Sequence, residues 1–348
     1  MIIMSRMSSD AMTFTLPSPA TWTGALPLPE MGVLQGTGPD TASFLHGQLS
    51  QDVLHLDAHQ ARLAAYCSAK GRMLASAIAL KPHADTVWLL CDHSVLPALH
   101  KRLSMFVLRA KTALTHAGAD LRVLGLVGDA AQALIATDFP TVASPAPTAI
   151  AAPWPVQAWH GGQLVTLPTV LGVPRWLWVG PPADADALQA RLPALPEPSW
   201  SWLDVMSAVP RIQTATADQF VPQMVNFELV GGVNFQKGCY PGQEVVARSQ
   251  YRGTVKRRAV LVHSAEPLQA GQEVFADSDP DQPAGLVVQA APIPASDGKT
   301  VGGAHSALIE VKLAALGTPV RAAVNDGHRG APLTWAAMPY PLDVDEGA

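Results

Sequence analysis

Apolar residues recur along the chain in two rhythms, one of period two and one close to 3.6, and their order predicts the architecture. Apolar runs at Met31–Gln35, Arg62–Cys67, Arg72–Leu80, Val87–Cys91 and Lys111–Thr115 predict strands, and Ser68-Ala69-Lys70-Gly71 joins two of them as a hairpin. Asp40 is suited to cap a helix to about Leu49, with Phe44, Leu45 and Leu49 on one face. Ser94 is suited to cap a second helix, with Pro97 in its first turn and the stripe Leu96, Leu99 and Leu103. Helix, hairpin, strand, helix and strand in this order describe an α+β layer, its helices on one side of a largely antiparallel sheet.

The alternation then repeats. Strands are expected at Leu121–Val127, Gln163–Leu167 and Arg175–Val179. Helices are expected from Asp129 through Ile135, over Asp184–Leu192, and over Trp200–Ala208 with Trp202, Val205 and Met206 facing the core. Phe139–Pro155, rich in proline and alanine, reads as a surface loop or interdomain connection. Beyond Arg252 the strands become short: Arg257–His263, Glu273–Phe275, Gly285–Gln289, Ala307–Leu313 and Val320–Ala323. Separated by glycine and proline turns, they predict a small β-barrel or sandwich, with Pro292–His305 as a mobile loop. The expected organisation is a flexible tail over 1–27, α+β modules over 28–120 and 121–250, a barrel over 251–341 and a tail over 342–348.

Composition narrows the function classes. A chain of 348 residues can build two or three cores, and 48% hydrophobic with 15% charged residues describes a folded, soluble protein. The net charge of −5 gives no general attraction to nucleic acid or acidic membrane, so any anion site is local. Three cysteines, without a CxxC pair or zinc-spaced histidines, suggest a reducing compartment and no dedicated metal centre, and are too few for a four-cysteine iron-sulfur site. No apolar run approaches the length of a spanning helix, and the start lacks the apolar stretch of a secretion signal; the expected location is cytoplasmic.

The candidate chemistry concentrates in Lys237-Gly238-Cys239-Tyr240-Pro241-Gly242-Gln243-Glu244. Pro241-Gly242 suits the centre of a type II turn, and Gln243 to Arg248 reads as the first turns of a helix with Glu244 at its positive end. Cys239 would then stand on a tight turn just before a helix, with Lys237 two residues away. Both neighbours favour the thiolate, although a lone cysteine also serves as a small buried hydrophobe. Arg248, Arg252, Lys256, Arg257 and Arg258 form an acid-free strip, read either as an anion-facing surface or as a solvated strand face. The strip has little aromatic interleaving beyond Tyr251, so RNA contact through it is expected to be weak. His46 reads as a structural histidine, and the absence of a GxSxG elbow argues against a serine hydrolase.

The signature and its flanks, Phe220-Val221-Pro222-Gln223, Asn226, Gly231-Gly232-Val233-Asn234-Phe235, KGCYPGQEVVAR and Tyr251-Arg252-Gly253 through Lys256-Arg257, resemble the YgfZ family. Further similar blocks are Gly38-Pro39-Asp40 with Phe44-Leu45-His46-Gly47-Gln48, Ala65-Tyr66-Cys67-Ser68-Ala69-Lys70-Gly71-Arg72, and Met338-Pro339-Tyr340. The resemblance implies two ferredoxin-like α+β modules and a small β-barrel around a central opening, as in the related T protein of the glycine cleavage system. It implies tetrahydrofolate or a derivative as ligand, with Trp200 against the pterin and Met31 where the family carries a second tryptophan. Gln223 and Asn226, amides that could read a pterin edge or equally satisfy backbone groups in a loop, together with Tyr240, Gln243, Glu244, Arg248 and Arg252, complete the expected folate contacts, with Cys239 and Lys237 as the reactive pair. The implied role is accessory, supporting iron-sulfur cluster assembly or repair and tRNA modification, with partners such as a tRNA methylthiotransferase. The alternative is a tetrahydrofolate-dependent aminomethyl or formyl transferase.

Overall fold

The computed structural model describes residues 16–139, 150–253, 255–295, 300–323 and 329–342. The first α+β segment comprises β1 (Gly24–Pro27), β2 (Met31–Thr37), α1 (Thr41–His46), β3 (Gln60–Cys67), β4 (Met73–His83), β5 (Thr86–Asp92), α2 (Leu96–Ser104) and β6 (Ala113–His116). The second comprises β7 (Arg122–Val127), α3 (Gly128–Asp138), β8 (Trp154–Trp159), β9 (Gly162–Val170), β10 (Val173–Gly180), α4 (Pro182–Gln189), α5 (Glu197–Met206) and α6 (Gln243–Tyr251). The last segment contains β11 (Arg257–Ser264), β12 (Glu273–Ala276), β13 (Asp279–Pro294), β14 (Thr300–Lys312), β15 (Val320–Ala323) and β16 (Arg329–Trp335).

The two α+β segments share one ten-stranded sheet, ordered β1-β7-β10-β9-β8-β3-β4-β5-β2-β6. The join is antiparallel pairing of β3 with β8 at Gln60–Pro155 and Ala61–Trp154. Strand alternation sorts the core by face. Ala75, Ala77 and Ala79 of β4 pack with Leu45 of α1 and Leu96, Leu99 and Leu103 of α2. Leu124 and Leu126 of β7 pack with Ala131 and Ile135 of α3 and Leu188 of α4. The alternate residues Leu80, Val123 and Val127, together with Met73 across the register shift at Cys67, point the other way, into a core shared with Trp200, Trp202 and Leu203 of α5 and with Leu261, Val288 and Leu308 of the last segment. Thus α1 and α2 of the first segment share one sheet face, as expected there, and α5 of the second segment lies opposite the other sheet-packed helices.

The last segment closes as a six-stranded barrel, β11-β14-β13-β12-β15-β16, the barrel of the two expected arrangements, with β16 added to the five expected strands and β13 and β14 longer than expected. Polar contacts fasten it to the sheet body: Trp202 Nε1 donates to Ser306 Oγ at 2.8 Å, and the Tyr340 hydroxyl donates to the Ala208 carbonyl at 2.8 Å. Arg258 forms a buried ion pair with Glu228.

Several boundaries move. The tail expected over 1–27 includes a strand, since β1 pairs with β7. Asp40 makes no side-chain cap on α1, which ends at His46 rather than Leu49; its carboxylate accepts the Lys111 N–H at 2.7 Å. Ser94 likewise gives no cap, because its hydroxyl donates to Asp92 at 2.6 Å and the helix starts from Val95. The connection expected over Phe139–Pro155 ends in β8, while 140–149 lie outside the described residues. The loop expected over Pro292–His305 narrows: β13 reaches Pro294 and β14 begins at Thr300, with 296–299 outside the described residues.

Candidate functional site

The signature adopts the expected turn. The Gln243 N–H donates to the Tyr240 carbonyl at 3.2 Å, and Gly242 has φ 78° and ψ 2°, the second central position of a type II turn. A side chain at Gly242 would sit 2.3 Å from the Ser68 carbonyl, so the turn lies directly on the β3–β4 hairpin. Gly71 meets it from the hairpin side, where a Cβ would fall 2.8 Å from Val245 Cβ and 3.1 Å from the Gly242 carbonyl. The two glycines let the backbones interlock. Cys239, four residues before α6, is an exposed free thiol. Cys67 and Cys91 are buried, and burial pushes both thiols up to about 12.

Lys237 differs from the simple neighbouring cation expected of it. Its side chain is directed inward, and Nζ donates to the carbonyls of His46 at 2.6 Å and Leu49 at 2.9 Å. It also stands 4.8 Å from the centroid of the Tyr240 ring. Burial lowers its pKa to about 8, while the negative charges of Asp52 and the Cys239 thiolate act to raise it. Lys237 therefore clamps the signature to the end of α1 while remaining electrostatically linked to Cys239. Tyr240 is buried beneath it, and burial raises the pKa of its phenol. Gln243 extends Nε2 toward the Lys237 carbonyl at 3.5 Å, while Glu244 is exposed in the first turn of α6.

The clamp brings in a histidine that sequence spacing gives no means of placing here. A Cβ on Gly238 would stand 3.8 Å from His46 Nε2, so this imidazole borders the backbone immediately before Cys239. Its Nδ1 lies 3.0 Å from Asp52 Oδ1, and Asp52 Oδ2 lies 2.8 Å from His55 Nδ1. Burial works to raise the Asp52 pKa, but the His55 N–H and the His55 and His46 side chains outweigh it and hold the carboxyl at about 2. His46 Nδ1 thus faces Asp52 and the Leu54 N–H, while Nε2 is turned toward Gly238.

Trp200 and Met31 meet in a second place, a narrow cleft of about 50 Å³ between sheet and α5 that is also lined by Trp154, Arg175, Asp204 and Arg211. Gly125 makes room for Trp200, since a Cβ there would be 2.4 Å from the indole. Arg175 lies 5.6 Å over the Trp200 ring and pairs with Asp204 at 3.4 Å. Arg211 stands 3.6 Å from Asp204 and 3.7 Å from Asp92, and Nη1 reaches Met31 Sδ at 3.3 Å. Its Nε is buried without a hydrogen-bond partner.

Gln223 and Asn226 are not on this cleft; both are used to hold the fold. Gln223 Nε2 donates to the Val246 carbonyl at 2.9 Å. Asn226, in the left-handed region at φ 59°, donates to the Ala259 carbonyl at 2.8 Å and accepts the Ala259 N–H at 3.3 Å. The basic strip divides as well. Arg257 pairs with Glu310 at 2.8 Å and Arg258 with Glu228, whereas Arg248, Arg252 and Lys256 are exposed. Tyr240, Gln243, Glu244, Arg248 and Arg252 belong to the signature turn and α6 and do not line the Trp200 cleft. Among the described residues, no group of three histidine, cysteine or acidic side chains is arranged to hold a metal, and no helix is long and apolar enough to cross a membrane.

A continuous antiparallel sheet followed by a closed barrel is the fold of the glycine-cleavage T protein. The structure matches the aminomethyltransferase T of that system from Bartonella henselae with a TM-score of 0.67 and 17% identity, over 92% of this chain and 87% of that one. Sequence similarity gives the narrower grouping. The chain is 35% identical over 243 residues to the tRNA-modifying protein YgfZ of Sodalis glossinidius, covering 68% of this chain and 71% of that protein. It is 34% identical over 254 residues to the protein of the same name from Photorhabdus laumondii, covering 72% and 71%. The chain belongs to the YgfZ family. No protein-family model matches it.

Proposed function

We propose that this protein binds a reduced folate and acts as an accessory factor for iron-sulfur cluster assembly or repair, and thereby for tRNA methylthiolation, with Cys239 as its reactive thiol. The observation that carries this reading is the exposed Cys239 on a turn fixed by Gly242, Gly71 and the Lys237 clamp, in a chain whose relatives are named tRNA-modifying proteins. An exposed thiol can reach a sulfur or metal centre on another protein, as the buried Cys67 and Cys91 cannot.

The Trp200 cleft supplies groups of the kind a pterin needs. Trp200 and Trp154 offer apolar faces, Asp204 offers a carboxylate for adjacent N–H donors, and Arg211 Nε, ion-paired at 3.6 Å to Asp204 and 3.7 Å to Asp92 but without a hydrogen bond, offers a donor for a carbonyl. Admitting the ring requires Arg211 to move away from Met31, because the cleft is narrow. Titration of the purified protein with tetrahydrofolate by calorimetry tests this assignment. Binding is expected in wild type and is expected to weaken at least tenfold in Trp200→Phe and Arg211→Gln. No binding, or affinity unchanged in both variants, would overturn it. Multiple turnover of methylene- or formyl-tetrahydrofolate would instead indicate a one-carbon transferase.

A further inference from the structure

We propose that Lys101–Lys111, between the end of α2 and β6, is the docking surface for an acidic protein. Met105, Phe106 and Leu108 are 65%, 51% and 84% exposed, although α1 and α2 already cover the neighbouring sheet face. Around them Lys101, Arg102, Arg109 and Lys111 are all exposed. No carboxylate occurs between Asp92 and Asp120, in a chain whose net charge is −5. Lys101 and Arg102 occupy the last turn of α2, where the helix dipole favours cations. That does not account for Arg109, Lys111 or the three exposed apolar side chains. Asp40 touches the segment through the Lys111 backbone N–H rather than through a side-chain cation.

An apolar centre rimmed by four cations, against the single carboxylate of Asp40, fits a protein surface with carboxylates around its own apolar centre. RNA fits less well, because Phe106 is the segment's single ring for stacking on bases and exposed Met105 and Leu108 gain little from a sugar-phosphate backbone. The position also matters. Thr41, at the start of α1, bonds Thr112 through their hydroxyls at 2.7 Å, while the carbonyl of His46 at its end holds Lys237. Six helical residues rise about 9 Å, so a partner seated on Lys101–Lys111 would lie close to the Cys239 loop. The docking inference does not depend on the chemistry proposed for Cys239.

The test installs the photo-crosslinker p-benzoylphenylalanine at position 106 of the full chain, with a control at the exposed Leu171, and irradiates the producing cells. The expected result is a protein adduct at 106 and not at 171, with a partner of acidic surface. Its yield should fall at least tenfold when Lys101, Arg102, Arg109 and Lys111 are each changed to Glu, and severalfold in Arg109→Ser/Lys111→Ser, which introduces no repulsion. Both variants, purified, should melt at the wild-type temperature. No protein adduct at 106, adducts with RNA or a second copy of this chain alone, or a yield insensitive to these charges in normally melting variants would overturn the proposal.

Discussion

Replacing Gly242 by alanine tests whether the Cys239 turn is built on the β3–β4 hairpin. Gly242 has φ +78°, and an added Cβ would lie 2.3 Å from the Ser68 carbonyl and 2.6 Å from Gly71 Cα. Both are backbone atoms that cannot rotate away. Gly172 supplies the control, having φ +81° and nothing within 4 Å of an added Cβ. Gly172→Ala should therefore cost about 1–2 kcal/mol from the left-handed conformation alone. Gly242→Ala adds an overpacking cost of about 1–3 kcal/mol, giving a total of about 2–5 kcal/mol. Equilibrium urea unfolding measures the difference, and the rate of Cys239 alkylation by iodoacetamide reports displacement of the turn. Gly71→Ala should shift both readouts in the same direction, because its added Cβ would meet Val245 and the Gly242 carbonyl. A Gly242→Ala variant no less stable than Gly172→Ala, with wild-type alkylation, would refute the packed-turn account.

Three further outcomes follow from the same geometry. Native protein treated with iodoacetamide near pH 8 should be modified at Cys239 alone, with Cys67 and Cys91 reacting after unfolding, as mass spectrometry of the peptides will show. Burial lowers the His263 pKa to about 4 from the usual 6.5, so its contribution to stability is present above pH 6.5 and is lost as pH falls toward 4. That loss is of order 3 kcal/mol, and urea titrations across this window should show a shallower pH dependence in His263→Gln. Asn226→Gly, which tolerates the left-handed backbone, should lower stability by about 1–3 kcal/mol and leave tetrahydrofolate affinity unchanged; reduced affinity at full stability would restore Asn226 as a ligand contact.

What the sequence made legible was local. The Pro241-Gly242 turn, the start of α6 and β11, β12 and β15 each follow from a short stretch, and the signature retains its expected geometry, whereas β13 and β14 extend to 16 and 13 residues and β16 is not expected from the pattern. Cap assignments failed at Asp40 and Ser94 because tertiary and turn contacts, to Lys111 and Asp92, took their side chains. The union of two segments into one sheet depends on two residue pairs between β3 and β8, which neither segment's pattern encodes. The same limit applies to the site. His46 and Asp52 come beside the Cys239 loop through the long reach of Lys237, and Arg211 and Asp204 meet Trp200 across separate elements. For Gln223 and Asn226 the sequence left two uses open, a pterin edge or loop backbone groups, because it does not show that Gln223 Nε2 and Asn226 Nδ2 reach the carbonyls of Val246 and Ala259.

The most direct test is the amount of methylthiolated adenosine in tRNA from a strain lacking this protein, complemented with wild type or Cys239→Ala. The account predicts a deficit that wild type restores and Cys239→Ala does not, with both proteins present at equal levels. Normal methylthiolation without the protein, or full rescue by Cys239→Ala, would contradict it.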